Sequence, residues 1–316
     1  MFLCPGNRGD ERRQSPLIKI GTRGSKLALW QANYVAGKLK ENGVETEIVV
    51  IKTTGDKIKD KPLYTFGGKG LFIKEIEEAL IEGKVDIAVH SMKDVPAILA
   101  EGTEIVAHLE RELPFDAFVS AKYGCIEELP AGAVIGTSSL RRSAQLRLWR
   151  DDFQIKTLRG NIYTRLKKLD EGLYDGIIVA AAALRRLGLE NRITEVLKTD
   201  RMIPASTQGI IGIQTRKNDK AGGIVRFLND KSSEIAATQE RSFVNSFGGG
   251  CHIPVAAYLE YKENPGKFYA FLSDIAGKRY IRKVYDLDSL DDGAAKEIGI
   301  AAYRQFEAEG ARELLN

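Results

Sequence analysis

Cys251 is the residue whose setting most suggests chemistry. It follows three consecutive glycines at 248–250 and precedes His252, Ile253 and Pro254. Glycines admit backbone conformations that are closed to other residues and leave room for a bulky group beside the main chain. A reactive thiol needs thiolate character and access more than tight packing. Two interpretations remain open at this point: a Gly-rich hairpin with an incidental cysteine, and a thiol that carries chemistry at sulfur.

Cationic and hydroxyl side chains follow one predicted strand after another. Ligands of open α/β sheets collect where the carboxyl ends of strands lead into helices, and arginine matches a carboxylate with two parallel hydrogen bonds. A single arginine is usually a solvated surface residue, but recurrence at one edge predicts a cleft that binds anions. The set comprises Arg23, Ser25, Lys93, Thr137, Ser138, Ser139, Arg141, Arg142, Arg159, Asn161, Arg165 and Arg186.

Asp94 is a carboxylate among these cations. It could simply pair with Lys93 or cap a turn before Pro96. It could also stabilise a developing positive charge, because a fixed carboxylate at a strand end acts electrostatically on a reacting centre. A substrate with acidic arms and a cationic reacting centre would need both the arginines and Asp94.

Alternating strands and helices must position these residues. Short β-branched runs alternate with amphipathic stretches from about residue 17 to 215, which predicts an α/β fold with a largely parallel sheet. Predicted strands are 17–21, 47–52, 85–89, 104–108, 134–136, 154–158 and 176–180. Predicted helices are 26–40 after Ser25, 71–80, one from Ser138 or Ser139 to 149, and 162–169 after Asn161.

The pattern changes after about residue 232. A helix to 246, alternating runs at 255–260, 268–272 and 279–285, and a helix over 292–310 predict a small α+β unit with an antiparallel sheet. A loop over 53–66 before Gly67-Gly68-Lys69-Gly70 is predicted to act as a lid. That stretch is not a phosphate-binding loop, because no Ser or Thr follows Lys69. The predicted lid residues are Asp56, Lys69 and Phe72.

Composition narrows the function classes. The chain of 316 residues is long enough for two or three domains. A net charge of +4 with 47 basic and 43 acidic residues does not indicate a polyanion partner, and no basic stripe with aromatic residues supports nucleic-acid binding. Three scattered cysteines and three histidines argue against a disulfide framework or a metal site. Without a signal-like start or an 18-residue apolar run, we expect a cytoplasmic protein with no membrane partner.

The sequence closely resembles the hydroxymethylbilane synthase (porphobilinogen deaminase) family from about Ile18 to near the C-terminus. The motifs that carry the resemblance are 22–32 (Thr-Arg-Gly-Ser-Lys-Leu-Ala-Leu-Trp-Gln-Ala), 67–72 (Gly-Gly-Lys-Gly-Leu-Phe), 86–96 (Asp-Ile-Ala-Val-His-Ser-Met-Lys-Asp-Val-Pro), 136–142 (Gly-Thr-Ser-Ser-Leu-Arg-Arg), 158–161 (Leu-Arg-Gly-Asn) and 249–251 (Gly-Gly-Cys).

The resemblance implies two periplasmic-binding-protein-like α/β domains and a C-terminal α+β domain with a three-stranded antiparallel sheet. Domain 1 would comprise 16–109 and 210–228, the inserted domain 2 would comprise 114–205, and domain 3 would comprise 232–316 after a tail at 1–15. A dipyrromethane cofactor would be joined to Cys251 by a thioether. Four porphobilinogen molecules would be added head to tail with loss of ammonia, and hydrolysis would release hydroxymethylbilane for haem biosynthesis.

The resemblance also implies residue roles. The cationic and hydroxyl set above, with Gln208 and Gly209, would bind cofactor and substrate carboxylates. Asp94 would bind the pyrrole N–H groups and stabilise the azafulvene cation formed when ammonia leaves. The enzyme would be a monomer that passes its product to the next enzyme of the pathway.

The sequence departs from the family pattern in three places. Thr207 and Ile210 stand where the family has Gly and Ala, Thr65 replaces a common Lys, and His252 replaces a more usual Gln or Ser. Because Thr207 and Ile210 are larger than Gly and Ala, the conformation of the local turn, and with it the hinge between the α/β domains, is in question. The alternative function is a non-catalytic two-lobed binding protein for a small dicarboxylate, in which the third domain and Cys251 would have no purpose.

Overall fold

The computed structural model describes residues 17–57, 73–249, 252–261, 266–287 and 292–315. Its strands are β1 (Leu17–Arg23), β2 (Glu45–Ile51), β3 (Ile87–Ser91), β4 (Thr103–His108), β5 (Asp116–Val119), β6 (Val134–Gly136), β7 (Gln154–Lys156), β8 (Gly176–Ala180), β9 (Glu195–Leu197), β10 (Ile211–Arg216), β11 (Val255–Glu260), β12 (Gly266–Ser273) and β13 (Tyr280–Leu287). Its helices are α1 (Lys26–Glu41), α2 (Thr54–Lys57), α3 (Lys74–Ile81), α4 (Leu140–Trp149), α5 (Ile162–Asp170), α6 (Ala181–Arg186), α7 (Lys220–Val225), α8 (Lys231–Ser246), α9 (Asp292–Ala308) and α10 (Ala311–Leu314).

The first lobe is built on a five-stranded sheet in the order β2-β1-β3-β10-β4. Strand β1 runs parallel to β2 and β3, whereas β10 runs antiparallel to both β3 and β4. Residues of α1, including Ala32, Val35 and Leu39, are fully buried in its core. The expectation of a largely parallel sheet therefore holds for one half of this sheet, and β10 was not predicted.

The second lobe repeats the arrangement in the order β7-β6-β8-β5-β9. Strand β6 is parallel to β7 and β8, and β5 is antiparallel to β8 and β9. The strands β5 and β9 were not predicted either. In each sheet one antiparallel strand thus lies between the parallel part and the edge, which gives the α/β fold with two similar sheets.

The third lobe has the predicted three-stranded antiparallel sheet, β11-β12-β13. Helices α8 and α9 cover one face through a core that includes Phe243, Phe268 and Phe306. The other face packs on the second lobe, where Ala144 and Ile203 meet Phe271. The predicted fold class is confirmed.

Two chain segments, 109–115 and 198–210, cross between the first and second lobes. They are bonded to each other, since Glu112 N donates to Gly209 O at 3.1 Å, and Leu109 N donates at 2.9 Å to the O atom of Ile211, the first residue of β10. Gly209 has a φ of 93°, and a Cβ there would lie 2.3 Å from Glu112 O. Only glycine fits this close approach of the two crossovers.

Candidate functional site

The end of β3 presents Asp94. A single 3₁₀ turn, Met92–Asp94, follows the strand, and it is anchored because the Met92 side chain is buried and Met92 N donates to Ile210 O at 3.0 Å. Lys93 is half-buried and Asp94 is exposed. The buried methionine therefore turns the next two side chains, one cationic and one anionic, toward the cleft between the first two lobes.

Several predicted polar residues cap helices at this edge. Ser25 Oγ accepts from Ala28 N at the start of α1, Ser139 Oγ accepts from Arg142 N at the start of α4, and Asn161 Oδ1 accepts from Thr164 N at the start of α5. In addition, the Ser138 hydroxyl donates to Leu158 O and Ser139 N donates to the Thr137 hydroxyl. These bonds orient the helix N-termini, where the macrodipole favours anions.

Arg141 and Arg142 converge on a carboxylate that sequence reasoning missed, Asp116 at the start of β5. Arg141 Nη2 donates to Asp116 Oδ2 at 2.8 Å, and Arg142 donates to Oδ1 from Nε at 3.0 Å and from Nη2 at 2.6 Å. All three side chains are buried. Burial alone would raise the pKa of Asp116, but the two guanidinium groups outweigh it and hold that pKa well below its ordinary range.

Asp116 offered only a weak signal in the sequence, namely a lone carboxylate opening the apolar run 117–119. Because Asp116 lies between them, Arg141 and Arg142 already have a carboxylate partner. Further bonds run from Arg141 Nη1 to Ile203 O and from Arg142 Nη1 to Ile178 O. Their binding of substrate or cofactor carboxylates remains a prediction, and in this arrangement it requires sharing with Asp116.

Lys93 joins the same charge cluster. Its Nζ donates to Gln208 Oε1 at 3.2 Å. The pKa of Lys93 is lowered to about 8, first because the ammonium group is desolvated and then because Arg142 and Arg141 repel it, while Asp94 and Asp116 oppose the shift. The charges of Asp94, Asp116, Arg141 and Arg142 therefore all act on the Lys93 ammonium group.

Two further arginines extend the cluster along the cleft. Arg165 has its pKa lowered to about 10 by burial and by repulsion from Arg142 and Arg159, with Asp94 opposing the shift. Arg186 donates from Nη2 to Gly209 O at 2.6 Å and lies 5.8 Å from the Trp30 ring centroid of the first lobe. The structure thus brings together Lys93, Asp94, Arg141, Arg142, Arg159 and Arg165. Arg186 lies instead against the crossover segment 198–210, at Gly209.

A cavity of about 70 Å³ opens beside Asp94 on the first lobe. Arg23 and Ser25 line it, as predicted, and so do Gln31, His90 and Ser91, which sequence reasoning did not single out. The amide of Gln31 and the hydroxyl of Ser91 exchange hydrogen bonds of 2.8 and 3.1 Å. Gln31 lies within the motif at 22–32, and His90 and Ser91 lie within the motif at 86–96. Membership of these motifs was the signal by which the sequence could have indicated them.

Other predicted residues are placed differently or lie outside the described residues. Gln208 is buried and its amide is fully engaged, with Nε2 donating to Pro114 O at 2.7 Å and to Asp116 Oδ1 at 3.0 Å. Asp56 belongs to α2, whereas Lys69, Phe72, Thr65 and Cys251 lie outside the described residues. His252 is exposed. In the part of the chain that is described, no helix is both long and apolar enough to cross a membrane.

Comparison with known proteins shows the family to which the sequence is related. A family model described as "Porphobilinogen deaminase, dipyromethane cofactor binding domain" matches residues 18–222, and one described as "Porphobilinogen deaminase, C-terminal domain" matches residues 235–308. The chain is 46% identical over 302 residues to a porphobilinogen deaminase of Maridesulfovibrio salexigens, covering 95% of this chain and 97% of the relative. It is 52% identical over 250 residues to that of Syntrophus aciditrophicus, covering 78% and 81%.

Solved structures of binding proteins also resemble the chain. The methionine-binding protein MetQ matches with a TM-score of 0.45 at 14% identity, covering 70% of this chain and 94% of that one. A nutrient-binding protein from Burkholderia cenocepacia matches with a TM-score of 0.42 at 13% identity, covering 68% and 93%.

Proposed function

Because the chain belongs to the porphobilinogen deaminase family and is a hydroxymethylbilane synthase, a transferase of tetrapyrrole biosynthesis, we propose that porphobilinogen reacts in the cleft beside Asp94. The observation that carries the proposal is the exposed carboxylate of Asp94, which borders a cavity and faces a cluster of cations. Each condensation releases ammonia, and a positive charge develops on the pyrrole as the C–N bond breaks. Asp94 stabilises that charge. The alternative, a dicarboxylate-binding protein without catalysis, is not favoured.

The charge balance of the cleft fits a dipyrromethane cofactor. In the described part of the chain, the charges that act on Lys93 and Arg165 include three arginines, Arg141, Arg142 and Arg159, and two carboxylates, Asp94 and Asp116. A group that carries an acetate and a propionate on each ring supplies carboxylates that such cations bind. When bound, it provides the free pyrrole carbon to which the first substrate unit is joined.

We assign the carboxylate-binding role to the residues that face the cleft. Arg165 and Arg159 extend from the α5 end, Lys93 from the β3 end, and Arg23 with Ser25 from the cavity wall. Arg141 and Arg142 contribute while they remain bonded to Asp116. Thr137, Ser138, Ser139 and Asn161 keep the helix N-termini in position, and Asp56, Lys69 and Phe72 are proposed as the lid.

Cys251 is proposed as the thioether attachment point. The described residues that lead to it support this, because Gly248 and Gly249 have φ values of 88° and 61°. A Cβ on Gly249 would lie 3.2 Å from the Ala97 Cβ, three residues from Asp94. The glycine-rich approach to Cys251 therefore passes close to the catalytic turn.

Two variants test the proposal. Asp94→Asn should slow elongation by about 10²-fold or more while the circular dichroism spectrum stays unchanged; Asp151→Asn, at an exposed turn, is the matched control. Near-normal elongation in the Asp94 variant would refute the catalytic assignment. Intact mass should show a covalent dipyrromethane that disappears in Cys251→Ser, and a mass equal to the bare chain in the unaltered protein would refute the attachment.

The domain limits given above, the cellular compartment, the oligomeric state and the hand-off of the product are also part of the proposal. Separate hydrophobic cores in the three lobes support the division into 16–109 with 210–228, 114–205 and 232–316. The half-buried free thiol of Cys125 suits a reducing compartment such as the cytoplasm. We further propose a monomer that hands its product to the next enzyme; light scattering that gave a dimer mass would refute the monomer.

A further inference from the structure

Gln208 connects the charged groups of the first two lobes. Its Oε1 accepts from Lys93 Nζ at 3.2 Å, next to Asp94 in the first lobe. Its Nε2 donates to Asp116 Oδ1 at 3.0 Å, the carboxylate that holds the two arginines of the second lobe. The side chain is 1% exposed. Its position therefore helps to determine where the Lys93 ammonium group lies.

The backbone around Gln208 is in turn held by a carboxylate of the third lobe, Glu240 in α8. Glu240 Oε2 accepts from Thr207 N at 2.5 Å, one residue before Gln208. Glu240 Oε1 accepts from Arg111 Nη1 at 2.5 Å, and Arg111 Nε donates to Gln208 O at 2.8 Å. One carboxylate thus holds the Ser206–Thr207 peptide group directly and the Gln208–Gly209 peptide group through Arg111.

Glu240 is itself rigidly placed. It is completely buried, and its Oε1 also accepts from Leu259 N in β11 at 2.8 Å. Arg111 belongs to one crossover between the first two lobes and Thr207 to the other. The same carboxylate therefore links both crossovers to the helix and the sheet of the third lobe.

The conformation of Thr207 shows why such an anchor is needed. Its φ is 59° in the left-handed region, which costs a β-branched residue about 1–2 kcal/mol. The strained peptide persists only where surrounding bonds determine it. The bond from Thr207 N to Glu240 is one of these, and the bond from the Thr207 hydroxyl to Ser206 O at 2.7 Å is another.

We propose that Glu240 is a positioning residue for the reaction: from the third lobe it fixes the Thr207–Gln208 backbone so that the Gln208 side chain holds Lys93 beside Asp94. The inference rests on the roles proposed above for Asp94 and Lys93. It adds a structural link by which the lobe that bears the cofactor sets the geometry of the cleft between the other two.

The test uses the cofactor-loaded full chain with Glu240→Gln, Gln208→Met and the double variant. Glu234→Gln is the matched control, because Glu234 lies on the same helix with a side chain that is 39% exposed. Glu240→Asp keeps the charge opposite Arg111 and serves as a second variant should Glu240→Gln fail to fold. The first readout is the elongation rate, expected to fall about 10- to 100-fold from misplaced groups and to stay unchanged in the control.

The second readout is the pH dependence of Lys93 methylation by formaldehyde and a hydride reductant, followed by peptide mass, which requires no turnover. The charged groups that act on Lys93 include Asp94, Asp116, Arg141 and Arg142, and none of these four is altered by these variants. Loss of the Gln208 acceptor should move the titration to lower pH, since that bond favours the charged form. Glu240→Gln should move it in the same direction, and the double variant should add little.

The outcomes separate this inference from the proposed function. Shifts that are not additive, together with slower elongation, support it. A Lys93 titration that stays at the wild-type position in both Glu240 variants overturns it, however much stability they lose. A shifted titration with normal elongation also overturns it, because the arrangement would not matter to the reaction. Normal elongation in Asp94→Asn would instead refute the proposed function.

Discussion

Replacement of Asp116 by Asn should destabilise the second lobe strongly. The Asp116 carboxylate accepts three guanidinium bonds of 2.6 to 3.0 Å and one bond from Gln208, with no exposed surface. Asn offers one acceptor oxygen and turns an NH₂ group toward the N–H donors. Two buried arginines then lose their counter-charge, and breaking a buried pair in this way costs about 3–5 kcal/mol.

Asp152 provides a matched control on the surface of the same lobe. Arg150 donates two bonds to it, from Nε to Oδ1 at 2.9 Å and from Nη2 to Oδ2 at 2.6 Å, but the two side chains are 27% and 35% exposed. Solvent screening limits such pairs to about 0–1 kcal/mol. Asp152→Asn should therefore leave the free energy of unfolding nearly unchanged, although the bonds that it removes have similar lengths.

Urea unfolding in a Trp30→Phe background is the assay, because Trp149 then reports on the second lobe. With a slope of about 2 kcal/mol per molar, the Asp116 variant should lower the midpoint by about 2 M. The pKa of Asp116 is lowered on folding, so its contribution is present above about pH 4 and is lost as pH falls below that. Equal losses in the Asp116 and Asp152 variants, or a difference that persisted unchanged at pH 2, would refute the reasoning.

Three further predictions concern other parts of the chain. Gly209→Ala should lower the free energy of unfolding by more than about 2 kcal/mol, because φ at Gly209 is 93° and the new Cβ would meet a main-chain oxygen. Gly37→Ala, in open space within α1, should raise that free energy by about 0.5–1 kcal/mol. Urea unfolding measures both, and equal effects would contradict the geometry. Burial lowers the pKa of His90 to about 4, so stability should fall as pH drops from about 6.5 to 4, and an unchanged slope in His90→Asn would contradict this. Lys26 lies 4.1 Å from the Tyr163 ring across the cleft, and a double-mutant cycle with Lys26→Met and Tyr163→Leu should give a coupling of about 0.5–1 kcal/mol; additive effects would show that the contact contributes nothing.

The features that could be predicted from the sequence depend on local signals. The caps Ser25 and Asn161 were found, and Ser139 was one of two candidates, because a hydroxyl or amide before an amphipathic run accepts a bond three residues away. The antiparallel third lobe was found because its strands alternate. The predicted helix limits 26–40 and 162–169 each fall one residue short of the observed ends at Glu41 and Asp170.

The features that could not be predicted depend on contacts between distant residues. Strands β5, β9 and β10 are short and carry polar residues such as Asp116, Glu195 and Gln214, so their patterns do not read as buried strands. Arg111 and Glu240 lie 129 residues apart. Neither has a sequence neighbour that marks it as buried, and only the fold brings the two together.

Two aspartates at the meeting point of the first two lobes show how burial divides similar groups into different roles. Asp116 is inaccessible and bonded on all sides, so it remains ionised and fixes two arginines without reaching a substrate. Asp94 is exposed beside a cavity, with Lys93 next to it, and can meet a developing positive charge. Both carboxylates act on Lys93, but burial reserves Asp116 for holding Arg141 and Arg142, whereas the exposure of Asp94 leaves it accessible for the role proposed above.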